Sequence, residues 1–342
     1  MEKSARIFLA GHLGMVGSAI LRRLTALGHA NVITRNRHQL NLARQADVED
    51  FFRSERPTHV FLAAARVGGI KANNDFPADF IRDNLLIQTN VIDAAHRFGA
   101  EKLLFLGSSC IYPRLCPQPI KEEYLLSGGL EPTNQWYAVA KIAGIKLCQA
   151  LRRQHGFRAI SLLPTNLYGP EDNFDLLSSH LLPALIRKAH LARLSQECDF
   201  EAIFRDEACF GPIPDNFREI LLKGRPVLPV WGDGSPRREF LHVDDLADAC
   251  VFLMDNYDSE EPLNVGTGKD ETVLELARRI AGIVGFSGEI ALSPELPGGT
   301  PKKQLDVSRI SALGWFPQIV LYRGIFDTYE WYRKRLSQFV FS

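Results

Sequence analysis

Arg6-Ile7-Phe8-Leu9-Ala10-Gly11-His12-Leu13-Gly14-Met15-Val16-Gly17 opens the chain with an apolar run, three glycines and the start of an amphipathic pattern. A short buried strand that runs through a glycine turn into a helix is the first step of a dinucleotide-binding βαβ unit. Glycines at that turn keep it tight and let backbone N–H groups approach a pyrophosphate at the helix N-terminus. The spacing here is GxxGxxG rather than GxGxxG, so the position between strand and helix carries the reading. Gly11, Gly14, Met15, Val16 and Gly17 are therefore candidate cofactor contacts.

The same rhythm continues outward from this turn. Strand-like runs at 6–10, 31–34, 59–64, 102–107 and 158–163 alternate with helical patterns at 16–27, 46–54, 84–98 and 137–154. Apolar strands separated by amphipathic helices make a parallel sheet covered on both faces. The expected fold is α/β: a Rossmann-type doubly wound parallel sheet with a smaller C-terminal substrate-binding lobe. Past residue 166 prolines break the alternation, and helical patterns return at 244–255, 272–284 and 323–336. The expected division is a nucleotide domain over 1–166 and a lobe over 167–342, some of which returns to the first domain. Ligands of open α/β sheets bind beyond the carboxyl ends of the strands, where such a lobe would close over them.

The end of the second strand selects between nicotinamide cofactors. An NAD site usually places a carboxylate there for the ribose hydroxyls, but this chain has Thr34-Arg35-Asn36-Arg37. Arg35 and Arg37 suit a 2′-phosphate through planar donors and permanent charge, so NADP(H) is expected.

Phe105-Leu106-Gly107-Ser108-Ser109-Cys110-Ile111-Tyr112-Pro113 brings two hydroxyls and a thiol to the end of the fourth strand. Tyr137 and Lys141 follow, four residues apart and so on one helix face. Ser108, Tyr137 and Lys141 can polarise a carbonyl and hand it a proton while a nicotinamide supplies hydride. A free tyrosine titrates near pH ~10, and a lysine ammonium together with the positive nicotinamide of an oxidised cofactor would favour the phenolate. Cys110 adds a second chemistry, proton abstraction beside the carbonyl.

Tyr137-Ala138-Val139-Ala140-Lys141, the glycine turn and Ser108 together resemble the short-chain dehydrogenases/reductases. Further stretches resemble the GDP-L-fucose synthase family of the extended branch, the GDP-4-keto-6-deoxy-mannose 3,5-epimerase/4-reductases. They include Leu62-Ala63-Ala64-Ala65, Phe76-Pro77-Ala78-Asp79-Phe80-Ile81, Glu131-Pro132-Thr133-Asn134, Pro164-Thr165-Asn166-Leu167-Tyr168-Gly169-Pro170 and Arg238-Glu239-Phe240-Leu241-His242-Val243-Asp244-Asp245. The resemblance spans nearly the whole chain. It implies Cys110 as base and His180 as acid in the two epimerisations, with a GDP-4-keto-6-deoxy sugar as substrate. It implies cofactor contacts at Ala63, Ala64, Tyr137, Lys141, Pro164, Asn166, Leu167 and His180. It implies substrate contacts at Ser108, Ser109, Lys188, Trp231, Arg238 and Lys303, and a homodimer built from the helices near 84–98 and 137–154. A reductase or epimerase/reductase for another GDP-4-keto sugar is the alternative. A dehydratase would carry an acidic pair where Ser109-Cys110 stands, and a non-catalytic nucleotide-binding regulator would typically lose the tyrosine or the lysine.

The chain departs from this family's pattern at Leu13 and Lys188, where arginines are common, and in a longer segment over 194–225. That segment, with Asp199, Glu201, Phe204, Asp206, Glu207 and Phe210, could be a lid, a dimer arm or an inert insertion.

Composition bounds the remaining possibilities. The 342 residues hold 40 Lys and Arg against 40 Asp and Glu, interleaved, which argues against a nucleic-acid partner. Ile7-Phe8-Leu9-Ala10 is too short for a secretory signal, and no segment is long and apolar enough to cross a membrane. Cys110, Cys116, Cys148, Cys198, Cys209 and Cys250 show no CxxC pairing, so neither a zinc site nor a disulfide framework is expected. A cytoplasmic enzyme fits all of this.

Overall fold

The opening run folds as a fully buried strand, β1 (Ile7–Ala10), leading through the glycine turn into α1 (Met15–Ala26). A computed structural model describes residues 1–224, 226–296 and 300–339, with the side chains of Ile70 and Lys71 left aside. Arg225, the last residue of the longer segment, lies outside it. After α1 come β2 (Val32–Ile33), α2 (Gln45–Glu55), β3 (His59–Leu62), α3 (Ile70–Asp75), α4 (Pro77–Arg97), β4 (Lys102–Leu106), α5 (Gln135–His155) and β5 (Arg158–Pro164). The second half supplies β6 (Asn166–Tyr168), α6 (Leu181–Gln196), α7 (Phe200–Phe210), α8 (Asp215–Leu222), β7 (Val227–Trp231) and β8 (Arg237–His242). It continues with α9 (Val243–Asn256), β9 (Leu263–Val265), β10 (Asp270–Thr272), α10 (Val273–Val284), β11 (Glu289–Ser293), β12 (Lys302–Lys303), α11 (Ser308–Ala312) and α12 (Leu321–Gln338).

Six strands pair in parallel in the order β2-β1-β3-β4-β5-β9. Successive strand residues point to opposite faces, so each strand feeds two apolar layers. Phe8, Val60, Leu103 and Phe105 join Phe52, Val91, Ile92 and Ile145 on one face. Ile7, Leu9, Phe61 and Leu104 join Ile20, Leu24, Leu246 and Cys250 on the other. Two-sided burial explains why these strands read as unbroken apolar runs. Lys102, at the start of β4, is one exception: its buried ammonium donates to the carbonyls of Met254 at 2.5 Å and Tyr257 at 2.6 Å, where α9 ends. Cations at a helix C-terminus satisfy its last carbonyls. Burial draws this lysine's pKa down to about 8.

Two elements differ from the sequence reading in extent. α4 begins at Pro77, seven residues before the expected 84, because proline at the first helical position is already set for the turn. β2 shortens to two residues. The sixth strand, β9, comes from the C-terminal half, and α9 packs beside α1.

The rest of the second half builds a small sheet around β8, which pairs with β6, β10 and β12, plus the parallel pair β7–β11. α6, α10 and α12 pack over these strands through Leu182, Ile186, Leu276, Ile280, Ile325 and Tyr332. The longer segment forms α7 and α8, which bury Ile203, Ile213, Phe217 and Leu221 against Leu191 and Leu194 of α6. Arg187 and Asp206, both fully buried, pair at 2.7 Å, and Tyr332 donates to the other Asp206 oxygen. A buried pair of this kind ties the segment into the lobe, so it is a packed helical layer and not a detached arm. Among the described residues no helix is long and apolar enough to cross a membrane.

Candidate active site

The glycine turn has the geometry of a phosphate cradle. Gly11 sits at φ +91°, and a Cβ there would lie 2.7 Å from the Ala64 backbone nitrogen. A Cβ on Gly17 would lie 2.0 Å from the Gly11 carbonyl oxygen. Gly14 donates its N–H to that same oxygen at 3.1 Å. Side chains are excluded where the first turn of α1 meets β3, and the backbone is left to face a ligand. Met15 and Val16 pack half-buried beneath the turn, while Leu13 is 72 % exposed above it. Ala63 donates its N–H to Ala10 O, bringing the β1 and β3 ends together at the cradle. This arrangement fits a dinucleotide.

At the end of β2 the two arginines behave differently. Arg35 donates to Glu55 at 2.6 Å and to Thr34 O at 2.8 Å, and its guanidinium lies 5.7 Å from the Phe51 ring centre. Arg37 is exposed. The pair therefore offers one guanidinium already braced by a carboxylate and one open to solvent.

Beyond β4 the chain turns so that the Ser108 hydroxyl accepts from Cys110 N–H at 3.1 Å. The same hydroxyl lies near enough to the Cys110 thiol and the Tyr137 phenol to favour ionisation of both. Tyr137 and Lys141 arrive on the first turns of α5, which Gln88 of α4 holds by donating to Ala140 O. Lys141 donates to Leu106 O at 2.8 Å, with its ammonium 5.7 Å from the Tyr137 ring centre. Burial pulls its pKa down to about 7. Tyr137 is pushed up by burial and then by the neighbouring Cys110, against the Ser108 hydrogen bond. Burial thus favours the protonated phenol, as suits a group that must donate a proton.

Cys110 moves the other way. Burial would raise it, but Lys303, Ser108 and Arg238 outweigh burial and lower its pKa overall. Lys303 donates to the Cys110 sulfur at 3.2 Å. It stands on β12, opposite Arg238 of β8. His180, at the N-cap of α6, opens to the cleft; the protein walls around it and then the Lys303 charge lower its pKa, favouring neutral imidazole. Its position is fixed by the 67–69 loop, where Gly69 donates to Ser178 O at 3.0 Å and a Cβ would lie 2.8 Å from Ser179 O.

A profile of the NAD dependent epimerase/dehydratase family matches residues 7–205 and 211–266. The chain belongs to that family. The profile breaks at 206–210, inside the longer segment. "Probable GDP-L-fucose synthase 1" of Oryza sativa subsp. japonica is 55% identical over 97% of this chain and 93% of its own. The GDP-L-fucose synthase of Escherichia coli (strain K12) is 47% identical over 98% of each. Among solved structures, a GDP-D-glycero-L-gluco-heptose synthase from Campylobacter jejuni, determined in the presence of NADPH, superposes with a TM-score of 0.89 at 38% identity, covering 97% of this chain and 99% of that one.

Part of the expected set lies together and part lies apart. Ser108, Ser109, Cys110, Tyr137, Arg238 and Lys303 converge near one another, with Ser109 buried. Asn166 donates to Glu239 O at 2.8 Å, placing the Pro164–Leu167 turn beside β8. Lys188 and Trp231 form a separate pair: the ammonium lies 5.5 Å from the indole ring, which is 55 % exposed, and donates to Pro229 O at 3.4 Å. Trp231 is thus a surface face and not core. Burial brings Lys188 down to about 8.

Sequence reasoning missed two features. The contact of Lys303 with Cys110 spans 193 positions, and no local pattern announces it. Glu239, the second residue of the Arg238-Glu239-Phe240 stretch, is buried beneath the site with no local pattern to mark it as special.

Proposed function

We propose that this protein is an NADPH-dependent 3,5-epimerase and 4-reductase converting GDP-4-keto-6-deoxy-D-mannose to GDP-L-fucose. The observation that carries the reading is the lysine-paired Cys110 beside the Ser108–Tyr137 pair, since a reductase alone needs no such base. The relatives' names support the substrate, and the glycine cradle and Arg35–Arg37 support the cofactor. Hydrogens at C3 and C5 flank the C4 ketone and are acidified by it. The Cys110 thiolate removes each in turn, leaving an enolate whose oxygen the Ser108 and Tyr137 hydroxyls hold. His180, protonated from solvent water, returns a proton from the opposite face and inverts the centre, and the Cys110 thiol gives its proton back to water before the second centre is opened. Tyr137 then gives its phenolic proton to the C4 oxygen, with Lys141 holding the helix turn against Leu106 O. NADPH, when bound, supplies the hydride to C4.

The nucleotide end needs cations for its diphosphate. In this reading Arg238 and Lys188 take that role, with Trp231 as a packing face. The six cysteines are free thiols, which fits the reducing cytoplasm.

The test is turnover of GDP-4-keto-6-deoxy-D-mannose with NADPH in heavy water, with NMR analysis of the product. GDP-L-fucose carrying deuterium at C3 and C5 is the expected result. An unlabelled D-sugar would leave a simple reductase, and no turnover would point to another GDP-4-keto sugar.

A further inference from the structure

Glu239 is a charged residue with no solvent exposure, one step along β8 from Arg238. Its side chain accepts from Thr267 N–H at 2.6 Å, Gly268 N–H at 2.9 Å and Leu305 N–H at 2.7 Å, with the Thr267 hydroxyl at 3.4 Å. Its own carbonyl accepts from the Asn166 amide at 2.8 Å and the Thr165 hydroxyl at 3.3 Å. A Cβ on Gly266 would fall 2.2 Å from its Oε1, so only glycine lets the loop close onto the carboxylate. One buried carboxyl group therefore fastens the 266–268 loop and the chain two residues past Lys303. The same segment is paired with β8 through Lys302–Arg237 and Lys303–Arg238.

We propose that Glu239 is a positioning residue for the epimerase base: it fixes the Leu305 end of the β12 segment so that the Lys303 ammonium meets the Cys110 sulfur. A buried carboxylate satisfied by several amide donors is costly to rearrange. It can hold the register of a two-residue strand whose own ladder is too short to do so. The groups around the thiol are Lys303 on β12, Arg238 on β8, Ser108 after β4 and Tyr137 on α5, with His180 facing Lys303. Of these, Arg238 adjoins Glu239 on β8 and Lys303 lies two residues from its Leu305 contact, and Lys303 is the one that donates to the sulfur.

The inference rests on Cys110 being the base of the proposed reaction, and its test does not require that sugar. Glu239→Gln keeps shape but sets an N–H against one of the amide donors. Cys110 alkylation by iodoacetamide, followed against pH by peptide mass spectrometry, reads the thiol directly. The midpoint is expected to rise by about 1 pH unit, within what loss of a close opposite charge does. Lys303→Met marks the full effect. With substrate in heavy water, deuterium entry at C3 and C5 falls about tenfold at neutral pH, following the thiolate fraction, while NADPH affinity holds because the Glu239 carbonyl is untouched. Should the glutamine variant not fold, Gly266→Ala displaces the carboxylate without removing it and is expected to shift the same midpoint. A folded variant with lower thermal stability but an unchanged midpoint overturns the proposal and leaves Glu239 a structural anchor. If wild-type enzyme turns over no sugar, the functional reading fails while the alkylation result stands.

Discussion

Cys110, Tyr137 and Lys303 divide the chemistry by charge. Burial raises the phenol and would raise the thiol, yet the thiol accepts a hydrogen bond from the Lys303 ammonium, whereas the Lys141 ammonium lies over the Tyr137 ring. The result is an acid that keeps its proton beside a base that gives its proton up, the separation that two-step proton chemistry requires. Cys110→Ser removes the low-pKa base and keeps the volume. Deuterium entry at C3 and C5 is expected to fall by about 10²–10³, as for loss of a general base, while NADPH oxidation by the ketone persists. Equal loss of both activities would show that Cys110 does not act as the base. The sign of the pH dependence follows from the lowered thiol: exchange rises with pH as thiolate forms and levels off below the ordinary thiol range. A rising limb that continues through that range would mean Lys303 does not tune the thiol.

The glycine turn concentrates the cofactor argument in one element. Gly17 faces the Gly11 carbonyl so closely that an added methyl meets backbone on both sides of the turn, and backbone cannot swing away as a side chain can. Gly17→Ala is expected to weaken NADPH binding more than tenfold and to cost about 1–3 kcal/mol of stability, the usual range for overpacking. Fluorescence titration with NADPH checks the first and thermal unfolding the second; unchanged affinity would move the pyrophosphate off this turn. β1, β3, β4 and β5 and the helices α1, α2, α4 and α5 were legible because two-sided burial and a 3.6-residue period leave plain patterns. β9 was not: its middle residue, Asn264, is polar, and burial is possible only because its side chain accepts from Tyr112 Oη at 2.6 Å and donates to Ile120 O at 2.9 Å. β12 is two residues long, below any periodic signal. The catalytic words near 108–141 could be read locally, whereas the Lys303–Cys110 contact and the Glu239 anchor exist only through tertiary closure of β12 on β8.

At the scale of the whole molecule, the two halves are threaded through one another. β9 completes the nucleotide sheet, α9 shares an apolar layer with α1, and Lys102 of β4 closes the end of α9. Cys110 and Lys303, 193 positions apart, accordingly meet within one chain. The surface of the α4–α5 pair is nonetheless apolar in places: Leu86, Trp136 and Val139 are 41, 42 and 41 % exposed, and the last two lie three residues apart on one face of α5. We propose that two chains join by packing these helices into a four-helix bundle, as the family resemblance suggests. A stable pairing needs roughly 1,200–2,000 Å² of buried surface, which two 21-residue helices per chain can supply. Light scattering is expected to give twice the mass of the chain. Leu86→Arg combined with Val139→Arg sets like charges against each other across the two-fold axis and should return a monomer. Because each chain carries its own catalytic groups, that monomer should retain turnover per chain. A monomeric wild type at working concentration would remove the bundle and leave the apolar face of α4–α5 without a partner.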